Sequence, residues 1–103
     1  MVTMTIDELR QRIDQLDERL VELLNERAHC ALEIGKLKHE LGLEVYQPDR
    51  EKQVLHHVRT HGKQTSSPLE GDAIARVFER IIDEARRIER ATAHNSGGKV
   101  EDR

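Results

Sequence analysis

The sequence predicts an all-α chain of three helices, and three observations carry that prediction. From Ile6 to Leu41 apolar residues recur at alternating steps of three and four, with no proline in the run. A second stripe with the same spacing runs from Ile74 to Ile88. No segment alternates apolar and polar residues as a half-buried strand would.

The first helix is expected from Thr5 to Leu41. Thr5-Ile6-Asp7-Glu8 supplies a capping residue and two acids in the first turn, where they complement the positive end of the helix dipole. Its stripe reads Ile6, Leu9, Ile13, Leu16, Leu20, Leu23, Arg27, Cys30, Ile34, Leu37 and Leu41. This is a heptad seam with a guanidinium where an aliphatic side chain belongs. Lys38 lies about three turns beyond Arg27, roughly 16 Å along the axis, and faces nearly the same way. Two cations leaning into an apolar seam are costly unless an anion meets them. The seam therefore reads as the wall of an anion-binding cavity inside a helical bundle. For this helix taken alone, the alternative is an arginine that snorkels to the surface or pairs with a glutamate to fix register.

Gly35, inside this helix, costs about 1 kcal/mol relative to alanine and suggests close approach of another backbone or a ligand. Gly42 follows the last seam residue and reads as the stop. A helix of this length would measure about 55 Å, against a radius of gyration near 13 Å for a compact domain of about this size. Its seam needs cover, and a second copy in a symmetric dimer is the economical answer.

Leu43 to Pro48 reads as a short extended connection, with Pro48 suited to the first turn of the next helix. That second helix is expected from about Asp49 to His61, with Val54, Leu55 and Val58 as its apolar side and Gly62 as its end. Lys63 to Ser67 reads as a polar loop leading to Pro68. The third helix is expected from about Leu69 to Ala91, with Ile74, Val77, Phe78, Ile81, Ile82, Ala85 and Ile88 on its apolar face. Thr92 to Arg103 contains Asn-Ser-Gly-Gly, ends in charges and reads as a disordered tail.

Composition narrows the function. Hydrophobic residues make up only 36% of the 103 residues, and Tyr46 and Phe78 are the two aromatics. Such a chain has little apolar material for an independent core, and association of subunits would repair the deficit. The net charge of −3 gives no basic footprint for nucleic acid. A single cysteine, Cys30, fits a reducing compartment, and no apolar run resembles a signal or reaches transmembrane length. A cytoplasmic protein with no membrane or nucleic-acid partner is the expectation.

No nucleophile is paired with a base, and the serines fall in the loop or the tail. His57 and His61 share a helical face, but no Glu-x-x-His companion or cysteine pair accompanies them, so they read as solvated rather than metal ligands. What remains is a set of polar residues on faces otherwise committed to a core: Arg10, Arg27, Lys38, Arg50, Glu51 and Glu89. Ordinary charged helical surface would account for any one of them. Arg10 lies about 100° around the helix from Arg27, so it would serve such a site across a dimer rather than within one chain.

Taken together, Leu9-Arg10-Gln11-Arg12-Ile13-Asp14, Leu20-Val21-Glu22-Leu23-Leu24-Asn25-Glu26-Arg27, Glu33-Ile34-Gly35-Lys36-Leu37-Lys38 and Val45-Tyr46-Gln47-Pro48-Asp49-Arg50-Glu51 resemble the AroQ-class chorismate mutases. The resemblance covers roughly Ile6 to Glu89. It implies a mutase domain over residues 1–91, a three-helix subunit intertwined with a second in an all-α homodimer, and residues 92–103 as the tail. It implies isomerisation of chorismate to prephenate, on the way to phenylalanine and tyrosine. That one-step pericyclic rearrangement suits a chain with no nucleophile, metal or cofactor.

By this resemblance Arg27, and Arg10 of the partner subunit, clamp the substrate carboxylates, for which forked guanidinium geometry is suited. Lys38 approaches the ether oxygen and a carboxylate. Glu51 accepts from the ring hydroxyl, with Arg50 beside it shaping the site. Gln47 stands where many members carry aspartate, so it can still contact the hydroxyl without adding charge. Ala85 falls where some members use a hydroxyl residue to hold a carboxylate, and that contact is lost. Glu89 falls where a glutamine or glutamate donates to the ether oxygen. A glutamate donates only when protonated, so turnover is expected to fall as pH rises.

Two other readings compete. An isochorismate-pyruvate lyase uses similar cations on the same fold. A non-catalytic helical dimerisation module would pair the seam cations with acids and bind no cyclic dicarboxylate. Docking of the tail onto a shikimate-pathway synthase, which activates small mutases of this class, is a further expectation, with a solvated tail the preferred account.

Overall fold

The structure, a computed structural model, describes residues 3–64 and 68–98. Among the described residues it is all α, in the order α1 (Ile6–Leu41), α2 (Pro48–Gln64) and α3 (Gly71–Gly98). No described helix is long and apolar enough to cross a membrane. The chain divides into two compact units, Met1–Cys30 and Ala31–Arg103.

In the first unit, α1 opens on a reciprocal cap. The Glu8 backbone N–H donates to Thr5 Oγ1 at 3.1 Å, and the Thr5 N–H donates to Glu8 Oε1 at 2.8 Å. Two backbone donors that the helix itself leaves unpaired are thereby satisfied. The apolar stripe of this unit faces solvent: Leu9, Ile13, Leu16, Leu20 and Leu23 are each between 43% and 55% exposed.

The second unit carries the packing. Gly42 ends α1 at φ +70°, with Gly42 N–H donating to His39 O and Leu43 N–H to Lys38 O. That paired closure needs a left-handed residue, which glycine adopts without a Cβ penalty. Pro48 opens α2 at a position where its missing N–H is no loss.

Helices α2 and α3 pack antiparallel. Glu51, early in α2, meets Arg86, late in α3, while Gly62 meets Gly71 and Ile74 at the other end. Val54, Leu55 and Val58 are half-buried against this contact, and Ala75 and Ile82 are buried on α3.

Three expected boundaries shift. Gly62 does not end α2, which continues to Gln64. It is buried, and an added Cβ would lie 2.7 Å from Ile74 Cδ1, so this glycine marks a crossing point rather than a stop. Helix α3 begins at Gly71 rather than Leu69 and continues past Ala91 to Gly98. No proline interrupts that continuation, and Thr92, the first residue of the expected tail, is buried with its hydroxyl donating to Ile88 O at 2.9 Å. Within the expected loop, Lys63 and Gln64 are helical and residues 65–67 lie outside the described residues, as does the tail from residue 99. Val77, expected on the buried face of α3, is exposed. It stands about 140° around the helix from Ile82, off the packed side.

Candidate active site

The C-terminal part of α1, the 43–47 connection, the start of α2 and the late turns of α3 converge in the second unit. Gly35 makes the convergence possible. It is buried, and a Cβ there would lie 3.0 Å from the Glu89 Cα, so the α1 and α3 backbones meet at this residue. The close approach read from Gly35 is therefore to another helix.

One turn along α1, Lys38 Nζ donates to Glu89 Oε1 at 2.6 Å and to the Val45 carbonyl at 2.9 Å. The two side chains are 13% and 12% exposed. Burial of this order leaves a charge needing an opposite partner, and each supplies it to the other. An ammonium carries three donors, and these contacts use two. The Val45 contact also fixes the connection against α1.

Gln47 and Arg50 line an open depression with Tyr46 and Gln53 at the entry to α2. Gln47 is half-buried, whereas Arg50 is exposed, with Nη1 reaching Gln53 Oε1 at 3.5 Å. Glu51, the next residue, turns instead toward α3. Arg86 Nε donates to Glu51 Oε2 at 3.1 Å, and Nη2 reaches Oε1 at 2.7 Å and Oε2 at 2.8 Å. Ala85, beside Arg86 on α3, is half-buried. Of the residues singled out in sequence, this unit therefore brings Lys38 and Glu89 together as a pair. It sets Gln47 and Arg50 side by side and commits Glu51 to a cation the sequence reading passed over.

Arg86 was detectable. It falls at 3/4 spacing between Ile82 and Glu89, on the packed face of a helix otherwise rich in surface arginine. Its guanidinium also lies 5.0 Å from the centre of the Tyr46 ring.

Arg10 and Arg27 belong to the first unit, Arg10 exposed and Arg27 half-buried on α1. His57 and His61 are both exposed on α2. Chemically, the second unit offers a partly buried cation beside a carboxyl group, with amide and guanidinium groups at its edge. Such a set suits an anionic, oxygen-rich small molecule.

Comparison with known proteins adds a consistent set of relatives. The sequence profile described as Chorismate mutase type II matches residues 9–90. The bifunctional chorismate mutase/prephenate dehydratase of Pseudomonas aeruginosa is 38% identical over 86 residues, which is 79% of this chain and 23% of that protein. The protein of the same name from Neisseria gonorrhoeae is 39% identical over 93 residues, 86% of this chain and 24% of that one. The T-protein of Haemophilus influenzae is 32% identical over 80 residues, 78% of this chain and 21% of that one. The chain thus spans about a quarter of the length of these curated relatives. A solved structure of chorismate mutase (form II) from Thermus thermophilus superposes with a TM-score of 0.76 at 30% identity, covering 82% of this chain and 93% of that one.

Proposed function

The chain belongs to the chorismate mutase type II family and is a chorismate mutase domain, and on that premise we propose that it isomerises chorismate to prephenate for phenylalanine and tyrosine synthesis. The observation that carries the reading is the Lys38–Glu89 pair, 2.6 Å apart and bound to the connection through Val45 O. The rearrangement breaks an ether C–O bond as a C–C bond forms, with no covalent intermediate. Catalysis therefore reduces to holding the reactive conformer and meeting the charge that builds on the ether oxygen.

Lys38 and Glu89 are the groups proposed to meet that oxygen. Lys38 is already oriented by two acceptors, so little reorganisation precedes the reaction. Arg27, and Arg10 of a second copy, are proposed to clamp the two carboxylates by the family resemblance. Glu51 accepts from the ring hydroxyl, Gln47 adds a neutral contact, and Arg50 shapes the mouth. Ala85 offers no hydroxyl to a carboxylate, which places more of the binding on the cations. The working unit is proposed to be a homodimer in the cytoplasm.

The test is a chorismate assay on the purified protein that follows prephenate and pyruvate separately. Prephenate is expected, and Arg27→Ala should lower its formation by about 100-fold with the helical circular dichroism signal kept. Pyruvate as the main product would assign the chain to isochorismate-pyruvate lyase chemistry instead. A loss confined to thermal stability would favour a dimerisation module. Turnover that rises in cell extract above that of the purified protein would support docking onto a shikimate-pathway synthase.

A further inference from the structure

Arg86 has no part in the reaction as set out above, yet its guanidinium is held on several sides. It makes the forked contact to Glu51, at 2.7, 2.8 and 3.1 Å. Its Cζ lies 5.0 Å from the centre of the Tyr46 ring, and Nη2 is 3.6 Å from Asp83 Oδ1 one turn back. The Arg86 and Glu51 side chains are 23% and 24% exposed, so water screens the pair only in part. Glu51 stands in the opening turn of α2, and Arg86 stands one turn before Glu89 on α3. The fork therefore joins α2 to α3 one turn away from the Lys38–Glu89 contact.

Building on the mutase reading of this site, the structure assigns Arg86 as a positioning residue that aims the Glu51 carboxylate and offsets its charge, so that Glu51 can accept from the hydroxyl of a dianionic substrate. A carboxylate has about four acceptor positions, and the fork leaves room for one more donor. Without Arg86, Glu51 would stand as an unpaired anion beside a ligand carrying two carboxylates, and like charges at close range repel. The Tyr46 ring packs against the guanidinium, so the connection between α1 and α2 also helps to set the direction of the fork. The alanine at position 85 sharpens the need. With no hydroxyl there for a substrate carboxylate, binding depends more heavily on the balance of charge.

The assignment is tested with a double-mutant cycle on chorismate kinetics and melting temperature, using Arg86→Met, Glu51→Gln and the double variant. Arg86→Met should raise KM about tenfold with a smaller change in kcat. In the Glu51→Gln background the same substitution should change KM by less than about twofold, because the charge it offsets is gone. Arg86→Lys, which keeps the charge and loses the fork, should fall between. Equal KM effects in both backgrounds would show that Arg86 does not act through Glu51. A lowered melting temperature with KM unmoved would make the contact purely structural, and either result overturns the assignment. Should Arg86→Met fail to fold, Arg86→Lys goes through the same cycle under the same criteria. Absence of prephenate formation by the unsubstituted protein is a distinct result. It overturns the reading of the site, and the assignment falls with it.

Discussion

Glu89 holds the sharpest question at the level of single residues. It accepts from Lys38 at 2.6 Å, with its side chain 12% exposed. The role proposed for it at the ether oxygen requires a donor, and a carboxyl group donates only while it keeps its proton. Glu89→Gln, whose amide always carries a donor, should therefore hold or raise kcat, whereas Glu89→Ala should lower it. A Glu89→Gln variant as slow as Glu89→Ala would remove Glu89 from the donor role. The sequence made Glu89 and Lys38 visible because each is a polar residue on a face otherwise committed to packing. Arg86 was passed over for the opposite reason. It sits in a run with Arg87 and Arg90, where charge is the ordinary state of a helix surface, and its partner is 35 positions away in sequence. Local spacing can flag such a residue but cannot name what it meets.

At the level of helices, the 3/4 spacing made all three elements legible, and the glycines separate what is local from what is not. Gly42 was readable as a stop because a left-handed closing residue is a requirement of the helix end itself. Gly62 looks the same in sequence, but its place is set by Ile74 crossing over it, which only the packed structure reveals. Gly35 permits a quantitative expectation. Alanine there would gain about 1 kcal/mol of helix propensity. Its Cβ would stand 3.0 Å from the Glu89 Cα, a backbone atom that cannot swing aside, and overpacking of this kind costs about 1–3 kcal/mol. The balance is expected to be unfavourable. Gly35→Ala should lower the melting temperature and weaken chorismate binding together, since the strain falls on the residue paired with Lys38. A raised melting temperature would show that α3 yields freely. The start of α1 supplies a pH expectation. The Thr5 backbone N–H and then its hydroxyl hold Glu8 below the usual glutamate range. Its contribution to the helix start is therefore complete above that range and is lost as pH falls through the lowered value. In acid titration followed by amide hydrogen exchange, protection in the first turn should fade, and Glu8→Gln should remove the pH dependence of that fading.

For the whole molecule, the apolar stripe of residues 6–30 poses a problem of magnitude. Leu9, Ile13, Leu16, Leu20 and Leu23 are about half exposed, at 43% to 55%. Fully burying such a side chain is worth about 1.5–3 kcal/mol, so covering the exposed half of each contributes about 1 kcal/mol. Five of them on one chain give roughly 5 kcal/mol, near the lower end of the 4–15 kcal/mol that association costs in lost freedom. Two such stripes covering each other double the gain, to about 10 kcal/mol, while the cost of association is met once. A second copy is the one partner certain to carry a matching stripe, and a two-fold contact lets each chain use the same surface. Sedimentation of the purified protein should therefore report a dimer. Leu16→Glu together with Leu20→Glu should convert it to a monomer, because four buried charges across the pair would have to be desolvated without partners. The same substitutions should abolish prephenate formation even though they touch none of the residues proposed to bind substrate, since Arg10 is proposed to act from the second copy. A monomeric double variant with full turnover would show that each chain works alone, and the assignment of Arg10 across the pair would then have to be abandoned.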